Sequence, residues 1–316
     1  MHDKLRIPAA LFSACIAGML VAAQSRVNGG LSQELGGGFV AACYSFASGL
    51  VLVAVITICS ARARRGFGKL KTELRSGRFP LWATLGGAAG AVFVLGQSLV
   101  APLIGVALFT VGVVAGQVIG GLVLDQAGLG PAGKVAPTLT RLIGTGLVIV
   151  AVVISVAGSI SGGVLQGSPW FVIVPLIAGF GVSWQSAVNG LLRSAMESVL
   201  SATFVSFVVG TVVLAVLAAV SIALNGWPQH WPSEPVLYIG GILGAIFIAI
   251  ITLLVRVAGV LLISMANVAG QLIASVMLEA GVPLAGGVSI GMLIGTLVAL
   301  VAVAVAALPG RPRTTH

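Results

Sequence analysis

The chain has 316 residues, of which 58% are apolar and only 7% are charged, and its mean hydropathy is +1.16. Soluble domains carry about 25% charged residues, so this composition excludes a soluble globular protein and indicates a membrane protein. The formal charge of +9 could suit a nucleic-acid partner, but in such an apolar chain basic residues usually set membrane orientation. We therefore expect the lipid bilayer, and no nucleic acid, as a partner.

Apolar stretches of about 20 residues, enough to cross a bilayer as helices, recur along the whole chain. The ten predicted spans are 7–27, 38–59, 81–100, 103–124, 138–158, 170–192, 199–223, 236–255, 258–279 and 286–308. The connections between them are too short for an extramembrane domain. The predicted fold is an all-α polytopic membrane protein with ten transmembrane helices.

The positions of the basic residues predict how these spans are oriented. With the N-terminus inside, 15 of the 16 Lys and Arg residues lie on the cytoplasmic side and only Arg26 lies outside. The cytoplasmic set is Lys4, Arg6, Arg62, Arg64, Arg65, Lys69, Lys71, Arg75, Arg78, Lys134, Arg141, Arg193, Arg256, Arg311 and Arg313. This predicts cytoplasmic N- and C-termini. We interpret the basic loop 60–79 as an orientation signal, and Arg26 as a side chain that reaches the lipid headgroups.

Two halves of the chain repeat each other. QSRVNG at 24–29 returns as QSAVNG at 185–190, an offset of 161 that also relates Ser45 and Phe46 to Ser206 and Phe207. An offset of 154 relates the glycines at 86, 87 and 90 to those at 240, 241 and 244, and Asp125 to Glu279. We predict two units, 1–160 and 161–316, of five helices each. Because five is odd, the second unit is inverted, which is the geometric basis of alternating access; the alternative is a duplication that only makes a stable bundle.

Three of the repeated motifs resemble a known family. They are Q-x-x-x-N-G at the end of the first helix, S-F-x-x-G in the second, and G-Q followed eight positions later by an acidic residue. This pattern resembles the YdcZ-like branch of the drug/metabolite transporter superfamily, whose members are EamA-like five-helix units or fused pairs of them. The resemblance covers nearly the whole chain. It implies a multi-pass protein of the bacterial plasma (inner) membrane that exports or exchanges a small metabolite or drug.

Amide and acidic side chains sort into two layers by depth, since polar groups in hydrocarbon tend to face the interior or a wet cavity. The outer layer is Gln24, Asn28 and Gln271 with Glu279, and the inner layer is Gln117, Gln185 and Asn189 with Asp125. We hypothesise that the layers are alternating gates that flank a central pocket. The alternative is that these amides only tie helices together, each bond contributing about 0.6 kcal/mol.

Between the layers lie hydroxyl, amide and aromatic side chains without a fixed charge. The mid-membrane candidates are Ser45, Phe46, Thr110, Trp184, Ser206, Phe207, Ser264 and Asn267. A charged substrate would want an opposite charge nearby, so we expect a neutral or amphipathic small molecule. Asp125 and Glu279 are the matched embedded carboxyls, so protons become a partner if this pair couples transport; the alternative is that both are solvated at helix ends.

Other classes of protein fit less well. All three histidines are terminal or in an outer loop, so we predict neither catalysis nor a cofactor, and Cys15, Cys43 and Cys59 show no metal-ligand spacing. Glycines spaced by four, such as Gly112, Gly116 and Gly120, predict close helix packing. A non-transporting membrane receptor or assembly subunit stays open as an alternative function, and the sequence also leaves a homodimer open.

Overall fold

In the computed structural model, every element of the described part of the chain is helical. The structure describes residues 2–129, 133, 134, 136, 138–162 and 169–307, so Arg311, Arg313 and part of the loop between the two halves lie outside it. The α-helices are α1 (His2–Leu35), α2 (Gly38–Cys59), α3 (Ala61–Arg75), α4 (Gly86–Leu99), α5 (Ala101–Ile104), α6 (Val106–Ala127), α7 (Leu139–Ser161), α8 (Ile173–Met196), α9 (Val199–Asn225), α10 (Gly240–Gly281) and α11 (Ile290–Ala307). Short 3₁₀ turns occupy Leu81–Thr84, Pro169–Val172 and Pro235–Tyr238.

The apolar helices agree with the prediction of a helical membrane protein. Within the described residues, seven helices are long and apolar enough to cross a membrane, and Ile290–Ala306 is a shorter apolar helix. Helix α8 is not among the seven, and two amides, Gln185 and Asn189, interrupt its apolar sequence. The coarse prediction of a polytopic all-α membrane protein is therefore confirmed.

The prediction that the basic segment 60–79 is a loop was wrong, because Ala61–Arg75 form helix α3. Its apolar residues Ala63, Phe67, Leu70 and Leu74 recur at helical spacing and form one face of an amphipathic helix. The Ser60 hydroxyl caps the helix by accepting a hydrogen bond from the backbone N–H of Ala63. Helix α3 packs against α8 and α9, so the basic segment is a structured part of the molecule.

Helix α10, Gly240–Gly281, takes in most of two predicted spans, 236–255 and 258–279. Its contacts with α1 nevertheless reverse direction along its length. Gly240 and Gly244 face Asn28 and Gln24, and Ile251 packs near Ala10. Farther along α10, Ile263 packs against Ala10 and Ala14, Gly270 lies against Cys15, and Asn267 lies against Gly18. The first part of α10 therefore runs antiparallel to α1 and the last part runs parallel to it.

Helices related by the internal repeat pack against each other in antiparallel fashion. In α2 and α9, the ring of Phe46 lies against Gly210 and the ring of Phe207 lies against Gly49. In α7 and α11, Gly158 meets Gly291. The same pair of helices brings Gly144 close to Ala302 and Ala306, at the other end of α7. In both pairs the residue order runs in opposite directions.

Glycines make these close approaches, as the sequence predicted. On α6, Gly112 faces Pro175, Gly116 lies against the carbonyl of Leu176, and Gly120 faces Phe180, so the glycine ladder is a packing seam against α8. The matched contact in the other half is Gly270 against the carbonyl of Cys15. With no side chain at these positions, the backbones of two helices can touch.

Candidate functional site

The outer layer contains a buried hydrogen-bond chain between α1 and α4. Asn28 is fully buried, and its Nδ2 donates to Gln97 Oε1 at 2.7 Å. Gln97 Nε2 donates to Ser25 Oγ at 2.8 Å, and that hydroxyl donates to the carbonyl of Val21. Three side chains are thus linked by hydrogen bonds, which fixes α1 and α4 together at this level.

Gln97 is a member of this layer that the sequence reasoning missed. It is fully buried, like its partner Asn28. The repeat could not indicate it, because Ile251 stands at the matched position 154 residues later. The signal that could have found it is depth, since Gln97 is an amide near the end of an otherwise apolar helix.

Two buried oxygens, one in the outer layer and one among the mid-membrane candidates, have no hydrogen-bond partner. They are Oδ1 of Asn28 and Oγ of Ser45, and both face Gly240 of α10. A side chain at Gly240 would overlap Asn28 Oδ1, so the glycine is what lets α10 approach. Gln24 lies one turn away from Asn28 and is 8% exposed, with its amide next to Gly244.

The matched residues of the inner layer are arranged similarly but are less buried. Ser206 Oγ donates to Asn189 Oδ1 at 2.6 Å, and Asn189 lies near Gly86. The amide of Gln185 lies next to Gly90. Both Asn189 and Gln185 are half-buried, whereas their outer counterparts are buried. The two layers therefore make matching contacts with glycines, but the outer amides are more buried than the inner ones.

The third matched amide pair differs in the same direction. Gln271 is 3% exposed, whereas Gln117 is half-buried. The backbone carbonyl of Gln117 accepts a hydrogen bond from Ser183 Oγ at 2.8 Å, which joins α6 to α8. Asn267, one turn before Gln271, has a buried Oδ1 without a partner.

The matched carboxyls are in different environments. Asp125 is 42% exposed in its side chain and pairs with Arg141 at 2.7 Å. Glu279 is fully buried: its Oε2 accepts from the backbone N–H of Val106 at 2.6 Å, and its Oε1 accepts from that of Ala285 at 3.2 Å. The alternative that both carboxyls are solvated is therefore wrong for Glu279, which caps the N-terminus of α6, where negative charge is favoured.

Arg26 contacts the end of α10. Its Nε donates to the carbonyl of Val282 at 2.7 Å, in the segment that follows α10. This bond ties α1 to that segment, and the placement of the side chain at the lipid headgroups stays a prediction.

Most of the mid-membrane candidates pack against protein. The rings of Phe46 and Phe207 are 5.1 Å apart between centroids, and each is 7% exposed. Trp184 packs on the cluster formed by Leu70 and Phe79, close to α3. The remaining candidates are not brought together with them, since Thr110 is buried in α6 and Ser264 is exposed.

The described residues contain no group of three or more His, Cys, Asp or Glu that could hold a metal ion. The three cysteines are free, with Cys59 exposed and Cys15 and Cys43 half-buried. What the structure offers is a helical bundle with two related layers of amides. This arrangement is expected of a polytopic membrane protein with two similar halves.

Comparison with known families identifies these halves. The family model described as "Putative inner membrane exporter, YdcZ" matches residues 9–154 and matches again at residues 170–308. The chain therefore belongs to the YdcZ family of inner-membrane exporters, and the resemblance inferred from its motifs is confirmed. No curated protein matches the chain.

Proposed function

We propose that this protein exports a small neutral or amphipathic molecule across the inner membrane by alternating access. Its two halves act as inverted five-helix repeats, giving ten membrane spans with both termini in the cytoplasm. The outer and inner amide layers act as the two gates. The observation that carries the proposal is the unequal closure of residues that the repeat makes equivalent.

Antiparallel packing of matched helices supports the inverted arrangement. The pairs α2 with α9 and α7 with α11 each run in opposite directions, as expected for two units related by an axis in the membrane plane. The reversal of α10 against α1 supports two spans within this element, hence ten in the chain. An odd number of spans per half then turns the second half over.

The closure of the two layers supports a gating role for them. On the outer side, Gln24, Asn28 and Gln271 are each less than 9% exposed. Their inner counterparts Gln185, Asn189 and Gln117 are all half-buried. Helix packing alone does not explain why every outer amide is more buried than its inner counterpart. An inward-facing conformation explains this difference in exposure, because its outer gate is closed and its inner gate is loosened.

Polar atoms between the gates support the choice of substrate. Ser45 Oγ and Asn267 Oδ1 are buried without partners, so the hydroxyl can donate or accept a hydrogen bond with a ligand or water, and the amide oxygen can accept one. Ser206 is the matched hydroxyl and already binds Asn189. No charged side chain accompanies these groups in the hydrogen bonds of the described residues. A neutral molecule with an apolar part and a few polar groups is the chemistry that such a site recognises.

Glu279 and Asp125 are the groups that we propose for proton coupling. In this conformation Glu279 accepts two backbone hydrogen bonds at the closed outer side, and Asp125 is paired with Arg141 at the more open inner side. Protonating one carboxylate oxygen of Glu279 would place an O–H donor opposite the N–H group from which that oxygen now accepts. Proton binding and opening of the outer gate would therefore be linked.

Labelling of matched cysteines tests the gates. In a variant whose three native cysteines are replaced by serine, Gln24→Cys and Gln185→Cys are compared with a membrane-impermeant maleimide in inside-out and right-side-out vesicles. We expect Gln185→Cys to react from the cytoplasmic side at least tenfold faster than Gln24→Cys from either side. Equal, slow labelling at both positions would show two sealed helix contacts and would contradict the gate proposal.

A receptor or an assembly subunit is the second candidate function. No contact in the described residues favours it, and efflux measured in proteoliposomes distinguishes it from a transporter. Candidate substrates for that assay come from a thermal-shift screen, since a ligand that binds the folded protein raises its Tm.

A further inference from the structure

Helix α3 and the end of α8 line an open cationic cavity that the export mechanism does not use. The cavity has a volume of about 350 Å³ and is lined by Arg62, Arg65, Gly66, Lys69, Met196 and Glu197. Small-molecule sites in proteins span about 300–1,000 Å³, so the space is sufficient for a compact ligand. Three cations and one carboxylate line it, which leaves a net charge of two positive.

The cations are held in place by the protein. Arg62 Nε donates to the backbone carbonyl of Glu197 at 3.1 Å, and Lys69 forms an ion pair with the Glu197 carboxylate. The hydrogen bond from Lys69 lowers the pKa of that carboxyl. Arg65 Nε donates only to Ala61, within its own helix. In the ion pairs of the described residues, Lys69 is therefore the cation of this cavity that is paired with a carboxylate, whereas Arg62 and Arg65 are not.

Glu197 itself occupies an unusual backbone position. It ends α8 with φ of 48°, a left-handed conformation at a place where Gly or Asn is usual. A Glu at this position costs backbone strain, and its carboxylate and carbonyl contact Lys69 and Arg62. Glu197 thus contacts two of the three cations that line the cavity.

The location of α3 indicates which anion would enter. Only Ser60 separates α3 from α2, so the helix begins where a membrane span ends. Its apolar face, with Ala63 and Leu70, packs on the protein, and Ser201 Oγ donates to the carbonyl of Ala63 at 2.7 Å. A basic amphipathic helix at this depth lies level with the phosphates of the lipid headgroups.

We propose that this cavity binds the headgroup of an anionic phospholipid, with Arg62, Arg65 and Lys69 around the phosphate. Arg62 and Arg65 supply charges without a carboxylate partner, and Glu197 contacts Arg62 through its carbonyl and Lys69 through its carboxylate. The guanidinium groups suit a phosphate because they donate several hydrogen bonds in a planar fork. Bound lipid would fasten α3 to α8, next to the inner amide layer.

The test uses the full chain in detergent micelles doped with phosphatidylglycerol or with phosphatidylcholine. Because it measures binding alone, its result does not depend on transport or on membrane orientation. We expect phosphatidylglycerol to raise the Tm of the native protein by about 2 to 4 °C over phosphatidylcholine. Arg62→Gln with Arg65→Gln should lose at least half of that difference.

The matched control removes two charges from another face of the same helix. Lys71→Gln with Arg75→Gln lies about 180° around α3 from Arg62 and should keep the full difference between the lipids. If the double variant at Arg62 fails to fold, Arg65→Gln alone replaces it, because Arg65 binds only its own helix.

Three results would overturn the proposal. The first is the absence of a difference between the two lipids. The second is an equal loss in the control, which would mean diffuse attraction to the membrane. The third is a full rise on adding inorganic phosphate to the phosphatidylcholine micelles, which would mean a soluble anion.

Discussion

Glu279 is the residue whose environment departs furthest from its sequence context. Its counterpart Asp125 is paired at the surface, whereas Glu279 is enclosed and accepts two backbone hydrogen bonds. Gly105, with φ of 84°, lies against this carboxylate, and any side chain there would crowd it. The two acidic residues therefore occupy matched positions of the repeat, but the buried one depends more strongly on its hydrogen bonds.

This difference predicts unequal effects of neutralisation. Glu279→Gln puts an NH₂ group opposite a buried N–H donor, so we expect a loss of about 1 to 3 kcal/mol in stability. Asp125→Asn breaks a half-exposed pair with Arg141 and should cost about 0 to 1 kcal/mol. Thermal unfolding in detergent measures both, and equal changes in Tm would contradict the environment described for Glu279.

The same variants test coupling once a substrate is known. Uptake into proteoliposomes driven by a pH gradient should disappear when Glu279 and Asp125 are neutralised together, while exchange at equal pH persists. An unchanged response to the gradient would exclude the pair as proton carriers.

At the scale of elements, helix contacts rest on glycines that tolerate no side chain. A Cβ at Gly116 of α6 would overlap the carbonyl of Leu176, whereas Gly121 on the same helix has open space around it. We expect Gly116→Ala to destabilise the protein by about 1 to 3 kcal/mol, the usual cost of overpacking. Gly121→Ala should be neutral or slightly stabilising, because Ala favours the helix.

Thermal unfolding of this pair in one detergent separates the contact from helix propensity. The two variants make the same chemical change in the same helix, so their difference in Tm reports the approach of α8. A Gly116→Ala variant as stable as Gly121→Ala would mean that α6 and α8 do not touch there.

The spans were predictable from sequence to different degrees. Hydropathy indicates α2, α7 and α9 nearly to the residue, since long apolar runs have few alternatives in a bilayer. Helix α3 was hidden by its charges, although Phe67, Leu70 and Leu74 keep a helical period. The burial of Glu279 could not be inferred, because its partner Val106 is 173 residues away and neither position carries a local signal.

The repeat found the amides of the site but not their connections. It identified Gln24, Asn28, Gln185 and Asn189, which occur twice. It could not indicate Gln97, which occurs once and completes the outer hydrogen bonds. A pattern that depends on duplication finds what the halves share, whereas Gln97 belongs to one amide layer and has no counterpart in the other.

At the scale of the whole molecule, orientation is the decisive prediction. In a protein without its native cysteines, Arg65→Cys and Arg193→Cys should both react with an impermeant maleimide from the cytoplasmic side. Trp227→Cys, in the connection after α9, should react from the opposite side and serves as the control. Labelling of Arg65→Cys and Arg193→Cys from different sides would mean that the halves share one orientation, and the transport proposal would fail.

The reciprocal glycine contacts also bear on how the chain folds. Gly240 and Gly244 of the second half receive Asn28 and Gln24 of the first, while Gly86 and Gly90 of the first receive Asn189 and Gln185 of the second. Each half therefore supplies the glycines against which the amides of the other half pack. Thermal or chemical unfolding should then be a single cooperative transition of both halves. Because the halves are joined in one polypeptide, they are always present in equal amounts, whereas two separate subunits would have to associate by diffusion.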